Sequence, residues 1–251
     1  MRFFRKRKVE RPKFSAELAP EVPFFAIGDI HGSDHLLEAL LGKLSDVGHP
    51  DAVLICVGDY VDRGEQSEQV LRRLFEMQSE AGPLMTCLMG NHEDMMLSFL
   101  DDPVANGARW LRYGGLQTLA SFKISSLPGA AASDTQWHSL RDRFKDALGE
   151  DLEAWLRELP SHWATGNVAV VHAGADPKQP IDRQDRSRLL WGHPEFDNQL
   201  RQDGVWVVHG HTIVDAAEAK DGRIAVDTGA YATGKLTAAL VEKGNVSFVS
   251  T

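Results

Sequence analysis

Short apolar runs that each end in glycine and polar side chains most limit the fold open to this chain. Six segments follow this pattern: "FFAIGDIHG" (24–32), "AVLICVGDYVDRG" (52–64), "MTCLMGNHE" (85–93), "VAVVHAG" (168–174), "VWVVHGHT" (205–212) and "IAVDTG" (224–229). Continuous apolar runs bounded by turn residues are typical of strands buried on both faces. The pattern therefore predicts a sheet structure covered on both sides.

Helical patterns separate the early runs. Leu36, Leu37, Leu40, Leu41 and Leu44 recur at helical spacing after Ser33, which predicts a helix with Ser33 as its N-cap. Apolar residues at 70–75 and 95–100 predict two more helices. Strand–helix alternation indicates an α/β fold, in which the carboxyl ends of the strands form the ligand crevice.

The segment 101–165 departs from this alternation. Its apolar residues from Trp137 to Leu159 recur every three or four positions, which predicts one or two amphipathic helices entered through a loop at 126–134. We interpret 101–165 as a helical insertion beside the mouth of the active site. Further on, "KDGR" at 220–223 predicts a hairpin turn.

The N-terminal segment differs in character from the rest of the chain. The N-terminus "MRFFRKRK" is basic and leads into a polar, proline-broken stretch with no apolar signal core. We therefore predict a basic, flexible arm over 1–22 and a single domain over 23–251.

Composition excludes several classes of protein. A net charge of −9 over 251 residues argues against general nucleic-acid binding, and no apolar run is long enough to predict a membrane span. The two cysteines, Cys56 and Cys87, lie within apolar runs, which predicts buried free thiols rather than a disulfide scaffold. With no signal segment, a reducing cytoplasm is the expected compartment.

Polar side chains capable of binding metal follow nearly every predicted strand. The set comprises Asp29, His31, Asp59, Asp62, Arg63, Asn91, His92, His172, His209, His211 and Asp227. Carboxylates and imidazoles brought together at one edge would repel or remain unsatisfied without cations. Mixed oxygen and nitrogen donors favour Mn, Fe or Zn over Ca, which prefers oxygen ligands.

The motifs "GDIHG", "GDYVDRG", "GNHE", "HAG" and "GHT", in this order, resemble those of the calcineurin-like metallophosphoesterases. The resemblance is to their phosphoprotein phosphatase branch, in the style of its bacterial and phage serine/threonine protein phosphatases. It covers about residues 24–240. It implies an α/β fold built as a two-sheet β-sandwich flanked by helices, with a dinuclear metal centre at one edge.

Position by position, the resemblance implies two sets of metal ligands that share Asp59. One set is Asp29, His31 and Asp59, and the other is Asp59, Asn91, His172 and His211. The implied cofactor is a pair of divalent metal ions. Mn is the metal we expect, with Fe or Zn as alternatives. The implied reaction is in-line attack on phosphorus by a hydroxide that bridges the metals.

The remaining motif residues acquire roles by the same resemblance. His92 corresponds to the general acid, Asp62 to its carboxylate partner, and Arg63 to a phosphate-binding residue. His209 and Asp227 are expected to support the ligand residues from behind.

One motif departs from the family pattern. Many bacterial relatives carry a phosphate-binding arginine in a stretch Leu-Leu-Trp-x-Arg, whereas this chain reads "RLLWGHPEF" and has His193 at that place. Either His193 contacts the phosphate, or another arginine replaces the missing one. The candidates are Arg183, Arg186 and Arg188 just upstream and Arg109 and Arg112 in the helical insertion.

Three functions remain open from the sequence. The leading hypothesis is a phosphatase acting on phosphomonoesters, with phosphoserine or phosphothreonine in proteins as substrate. The second is a hydrolase of dinucleoside polyphosphates such as diadenosine tetraphosphate. The third is a weakly active or non-catalytic scaffold that binds phosphoproteins, which His193 favours and the intact Asp62, Arg63 and His92 disfavour.

Overall fold

A computed structural model describes residues 13–126, 128–129 and 132–251. The strands in chain order are β1 (Phe24–Ile27), β2 (Val53–Cys56), β3 (Met85–Cys87), β4 (His162–Thr165), β5 (Val168–Val171), β6 (Trp206–His209), β7 (Glu218–Lys220), β8 (Arg223–Ala225), β9 (Thr237–Glu242) and β10 (Asn245–Ser250). The helices are α1 (Asp34–Val47), α2 (Ser67–Ala81), α3 (Asn91–Asp101), α4 (Pro103–Trp110), α5 (Leu116–Ser121), α6 (Asp134–Leu148), α7 (Glu150–Glu158), α8 (Arg186–Trp191) and α9 (Ala230–Thr233).

Within the described residues the strands form two five-stranded mixed sheets. The order in the first is β10-β9-β1-β2-β3, with β1, β2 and β3 parallel and β9 and β10 antiparallel to their neighbours. The order in the second is β4-β5-β6-β8-β7, with β5, β6 and β8 parallel. The carboxyl ends of β1, β2, β3, β5 and β6 each lead into one of the polar turns.

The two sheets pack face to face, and helices cover their outer faces. Alternation along β1 shows the arrangement: Phe24 and Ala26 lie in the core between the sheets, whereas Phe25 and Ile27 face α1 and its neighbours. Because both faces are buried, the strands are apolar throughout rather than alternating. The predicted two-sheet sandwich flanked by helices is confirmed.

The predicted helices after β1, β2 and β3 are α1, α2 and α3, and the predicted hairpin is the antiparallel pair β7–β8. Ser33 occupies the N-cap position of α1, but its hydroxyl donates to the carbonyl of His31 and makes no capping bond.

The segment 101–165 is more helical than its pattern predicts. It contains α4 to α7 and a π-helical turn at Leu111–Gly115, and it ends in strand β4. Its buried Trp110 and Phe144 join the core that covers the first sheet. The single domain and its insertion remain our prediction.

The predicted arm has two parts. Residues 1–12 lie outside the described residues. In the rest, the ring of Phe14 packs edge-on against Trp206 at 5.1 Å, Leu18 is buried between the sheets, and Asn167 binds the backbone of Glu17 and Ala19. This part of the arm is thus attached to the second sheet. Among the described helices, none is both long and apolar enough to cross a membrane.

Candidate metal centre and active site

Sharp turns deliver the polar side chains at the strand ends. Five of the predicted site residues, all non-glycine, have positive φ angles between 45° and 71°: His31, Asp59, Asp62, Arg63 and His211. Such conformations cost free energy and concentrate at functional sites. The turns also approach each other closely, because a Cβ on Gly58 would lie 2.7 Å from the Cα of Gly90.

Asp59 lies at the centre of the cluster, with one carboxylate oxygen toward each group of histidines. Its Oδ2 is 3.4 Å from Nε2 of His31, and its Oδ1 is 3.4 Å from Nε2 of His172. Two groups of potential ligand atoms meet here: His31, Asp59 and His92 in one, and Asp59, His172 and His211 in the other. The carboxylate they share could serve two cations.

The hydrogen bonds of His31 and His172 leave the lone pair of each Nε2 atom available to bind a metal. Nδ1 of His31 lies 2.8 Å from the carbonyl of Val61, and Nδ1 of His172 lies 3.1 Å from the carbonyl of Val57. A carbonyl only accepts, so each Nδ1 carries the proton and each Nε2 presents its lone pair to the cluster. Burial lowers the pKa of His31 to about 3 and that of His172 to about 4, which keeps both rings neutral.

Asn91 and Asp29 complete the two sides of the cluster. The Oδ1 of Asn91 lies 2.8 Å from both Nε2 of His172 and Nδ1 of His211. Both oxygens of Asp29 accept the backbone N–H of His211, at 3.1 and 3.0 Å. The predicted ligands of both sets are therefore brought together.

The buried acids show why this donor set fits divalent cations. Burial and the neighbouring carboxylates of Asp227 and Asp59 hold the pKa of Asp29 well above its usual range. Burial likewise raises the pKa of Asp227 to about 6. Closely spaced buried carboxylates repel one another in the absence of cations, and two divalent ions would offset that repulsion. Carboxylate, amide oxygen and imidazole nitrogen together suit Mn, Fe or Zn.

His92 and Asp62 form a buried pair beside the cluster. Nδ1 of His92 lies 2.7 Å from Oδ2 of Asp62, whose carboxylate also accepts from Nε1 of Trp110 at 3.1 Å and from Oγ1 of Thr118 at 2.6 Å. Burial would lower the pKa of His92, but the carboxylate of Asp59 and the bond to Asp62 raise it overall. This histidine is thus fixed in orientation and made more basic.

Arg63 lies against the outward side of His92. Its Nη2 donates to Nε2 of His92 at 3.1 Å, and its Nη1 donates to the hydroxyl of Tyr231 at 3.2 Å. A guanidinium only donates, so His92 is neutral in this arrangement, with its proton on Nδ1 toward Asp62. The raised pKa of His92 indicates that it gains a second proton easily once Arg63 turns to another acceptor.

Three residues that hold Asp59 and Asp62 in place have no role assigned from the sequence. Glu93 accepts from the amides of Asp59, Tyr60, Val61 and Gly90 at 2.8 to 3.1 Å, and so fixes the turn that carries Asp59. Its position in "GNHE" was a usable signal. Trp110 and Thr118, which hold Asp62, lie in the helical insertion, and no local pattern distinguishes them.

His209 and Asp227 lie in different surroundings. Nδ1 of His209 faces the carbonyl of Gly210, and its ring packs edge-on against Phe196 at 4.9 Å, on the outer face of the second sheet. The structure thus places His209 away from the ligand atoms that it was expected to support. Asp227 accepts the amide of Gly229 at 2.8 Å, and its carboxylate helps to raise the pKa of Asp29; its supporting role stays a prediction.

Among the described residues, His193 has no hydrogen bond or ion pair with Arg63 or His92. Its Nδ1 accepts the amide of Glu195 at 3.2 Å, so the proton is on Nε2, 3.8 Å from Oδ2 of Asp176. This tautomer disfavours a metal between His193, Asp176 and Glu195. Of the alternative arginines, Arg186 pairs with Asp94 at 3.0 Å and Arg109 stacks over Trp191 at 5.0 Å.

Comparison with known proteins agrees with this geometry. The profile of the family described as calcineurin-like phosphoesterase matches residues 22–215. Serine/threonine-protein phosphatase 2 of Escherichia coli is 28% identical over 225 residues, which cover 85% of this chain and 90% of the relative. An asymmetrical bis(5'-nucleosyl)-tetraphosphatase of Oceanobacillus iheyensis is 29% identical over 235 residues, covering 84% of this chain and 86% of the relative.

A solved structure shares the fold. It is that of a candidate diadenosine tetraphosphatase, with a TM-score of 0.61 and 22% identity over 94% of this chain and 98% of that one. The chain belongs to the calcineurin-like phosphoesterase family, and its chemistry is that of a metallophosphoesterase.

Proposed function

We propose that this protein is a dinuclear metal-dependent phosphomonoesterase that acts on phosphoserine or phosphothreonine in proteins. The observation that carries the proposal is the Asp59 carboxylate between His31 and His172, next to the His92–Asp62 pair. When bound, two divalent cations would make a water nucleophilic near neutral pH and take up charge on the phosphoryl oxygens.

The geometry described above supports the following proposal for the metal ligands. We assign Asp29, His31 and Asp59 to one cation and Asp59, Asn91, His172 and His211 to the other. His92 lies within reach of the first group through Nε2, 3.9 Å from Oδ2 of Asp59, but its bond to Asp62 favours a proton-carrying role. We propose Mn as the native metal.

Arg63 and His92 divide the remaining work. Arg63 is partly exposed and contacts His92 at the edge of the cluster. A phosphoryl oxygen would draw its guanidinium away from His92. His92 can then take up a proton from water on Nε2, and Asp62 stabilises the resulting imidazolium. The imidazolium returns to neutral imidazole when it gives that proton to the leaving oxygen. Serine and threonine alkoxides are poor leaving groups and need such a donor.

A dinucleoside polyphosphate is the second candidate substrate. It rests on the similarity to the tetraphosphatase of Oceanobacillus iheyensis, which is as extensive as that to the serine/threonine phosphatase.

The free, buried Cys56 and Cys87 are compatible with a reducing compartment, and we propose the cytoplasm.

The test is a comparison of kcat/KM on a phosphopeptide, diadenosine tetraphosphate, and mono- and bis-aryl phosphates with Mn-loaded protein. We expect the phosphopeptide to be the best substrate. Higher kcat/KM on diadenosine tetraphosphate would favour the second candidate. Turnover of none of them by protein that holds both metals would contradict both. Asp62→Asn serves as the matched variant, because it keeps the shape of the pair and removes its charge.

A further inference from the structure

Tyr231 is a residue of the site that neither the motifs nor the proposed reaction uses. It lies on the short helix α9, which follows β8, and its side chain is 39% exposed. The centre of its ring lies 5.3 Å from the centre of the His31 ring, and the two rings are nearly perpendicular, so Tyr231 borders the metal cluster. A tyrosine this exposed contributes little to core packing, so its side chain is held in place mainly by its individual contacts.

Those contacts converge on Arg63. The hydroxyl of Tyr231 accepts a hydrogen bond from Nη1 at 3.2 Å, and Cζ of the guanidinium lies 4.9 Å from the centre of the ring. One side chain thus contacts Arg63 through a polar atom and through an aromatic face. Each contact favours a charged guanidinium at this place.

The other end of the guanidinium is held by His92. Nη2 donates to Nε2 of His92 at 3.1 Å, while Nη1 remains with Tyr231. The guanidinium of Arg63 is therefore hydrogen-bonded to both the phenol of Tyr231 and the imidazole of His92 at the edge of the cluster. An arginine side chain loses rotamer entropy when a ligand fixes it. Because these contacts already restrict Arg63 in the free protein, ligand binding costs less entropy.

The segment that carries Tyr231 is itself firmly held. The amide of Gly229 donates to Oδ1 of Asp227 at 2.8 Å, Oγ1 of Thr233 donates to the carbonyl of Thr228 at 2.8 Å, and Oγ1 of Thr228 donates to the carbonyl of Lys235 at 2.7 Å. The same turn supports Asp227 beside Asp29. The ring is thus fixed relative to the metal cluster and not only to Arg63.

We infer that Tyr231 is a positioning residue that holds the Arg63 guanidinium over the metal cluster, ready to bind a phosphoryl oxygen. It acts through Arg63 and touches no reacting atom. Its effect on hydrolysis rests on the proposed function, whereas its hold on Arg63 does not. The inference therefore predicts two separable effects, one on the accessibility of Arg63 and one on phosphate binding.

The first experiment measures accessibility. The chelator-treated protein is modified with phenylglyoxal, and labelling of the Arg63 peptide is followed by mass spectrometry. We expect Tyr231→Ala to raise the labelling rate about threefold to tenfold and Tyr231→Phe, which keeps the ring, to raise it less. The control is Tyr113→Ala, since Tyr113 is 49% exposed and its side chain makes no hydrogen bond or aromatic contact among the described residues. Equal rates in wild type and Tyr231→Ala would overturn the inference, whatever the protein hydrolyses.

The second experiment is a double-mutant cycle on the binding of inorganic phosphate, measured in all four Mn-loaded proteins by the phosphate-induced shift in melting temperature. Tyr231→Ala should weaken phosphate binding about threefold to tenfold and raise KM more than it lowers kcat. In an Arg63→Ala background, the same substitution should have no further effect. An undiminished effect without Arg63 would show that Tyr231 acts independently and would overturn the inference. If Tyr231→Ala raises the labelling of Arg63 as expected but the protein hydrolyses no phosphoester, the proposed function alone is overturned.

Discussion

The carboxylate of Glu93 holds the backbone of Asp59. Its Oε2 accepts the amide of Asp59 at 2.9 Å and that of Gly90 at 3.0 Å, while Oε1 accepts the two following amides of the Asp59 turn. Asp59 has a φ of 53°, a conformation that needs support. A fully buried acid thus determines where the shared carboxylate lies.

Glu93→Gln should therefore weaken metal binding. The amide keeps one oxygen acceptor but turns an N–H group toward backbone N–H donors, so the turn loses two hydrogen bonds and gains a repulsion. We expect at least a tenfold loss of Mn affinity by titration calorimetry, together with a lower melting temperature. Glu76→Gln, on the exposed side of α2, is the control and should change neither. Unchanged affinity in Glu93→Gln would show that the turn holds Asp59 without this carboxylate.

Asp59→Asn tests the shared ligand directly. The amide has one oxygen and no charge, so it cannot serve both groups of histidines. We expect lower metal content at both sites by elemental analysis and nearly complete loss of turnover. Circular dichroism establishes whether the variant is folded. A folded variant that retains two tightly held metals would contradict the assignment.

His92→Asn tests the proton donor. The variant should keep both metals but hydrolyse alkyl phosphates about 10²–10⁴-fold more slowly. Aryl phosphates have better leaving groups and should be affected less. The measurement is kcat on one substrate of each kind with the same metal-loaded preparation. Equal losses on both would speak against a role in protonating the leaving group.

Much of this architecture could be predicted because its signals are local. Continuous apolar runs identified the central strands, and the residue types after each run identified the ligand groups that the structure brings together. The supports of Asp62 could not be predicted, since Trp110 and Thr118 lie 48 and 56 residues further along the chain. Helices α4 and α5 were missed because glycines interrupt their pattern, and Gly114, with a φ of 118°, lies in the π-helical turn between them. The supporting role of His209 stays a prediction: a strand sends alternate side chains to opposite faces, and Val208, not His209, faces the other sheet.

His193 should matter little for phosphate binding. Its ring is held by the amide of Glu195 and directed toward Asp176. His193→Ala should leave inhibition by inorganic phosphate unchanged between pH 6 and 8. Arg186→Ala and Arg109→Ala, which remove the cations near α3 and α4, are the informative comparisons. If one of these raises the inhibition constant several-fold, that arginine replaces the missing one; a pH-dependent loss in His193→Ala would return the role to the histidine.

Metal binding should strengthen as pH rises through about 6. Burial raises the pKa of Asp227 to about 6 and holds that of Asp29 well above its usual range, so both carry protons in metal-free protein under mildly acidic conditions. A carboxyl whose pKa is raised by folding stabilises the folded chain most below its unfolded pKa of about 4, and this stabilisation is lost as pH rises through the folded value. The cations then replace the protons. His31 and His172 do not compete, because their pKa values of about 3 and about 4 leave them neutral above pH 5.

The measurement for this prediction is the increase in melting temperature that Mn produces in chelator-treated protein, taken at intervals from pH 5 to pH 8. Taking the difference with and without metal cancels the opposite trend of the histidines with lowered pKa values, which favour the folded state as pH rises. We expect the increment to grow with pH and then level off above pH 7. Asp227→Asn should flatten the rise, since it removes one of the two acids, whereas Asp51→Asn on the surface should not. A constant increment across this range would show that these carboxyls hold no protons in the metal-free protein.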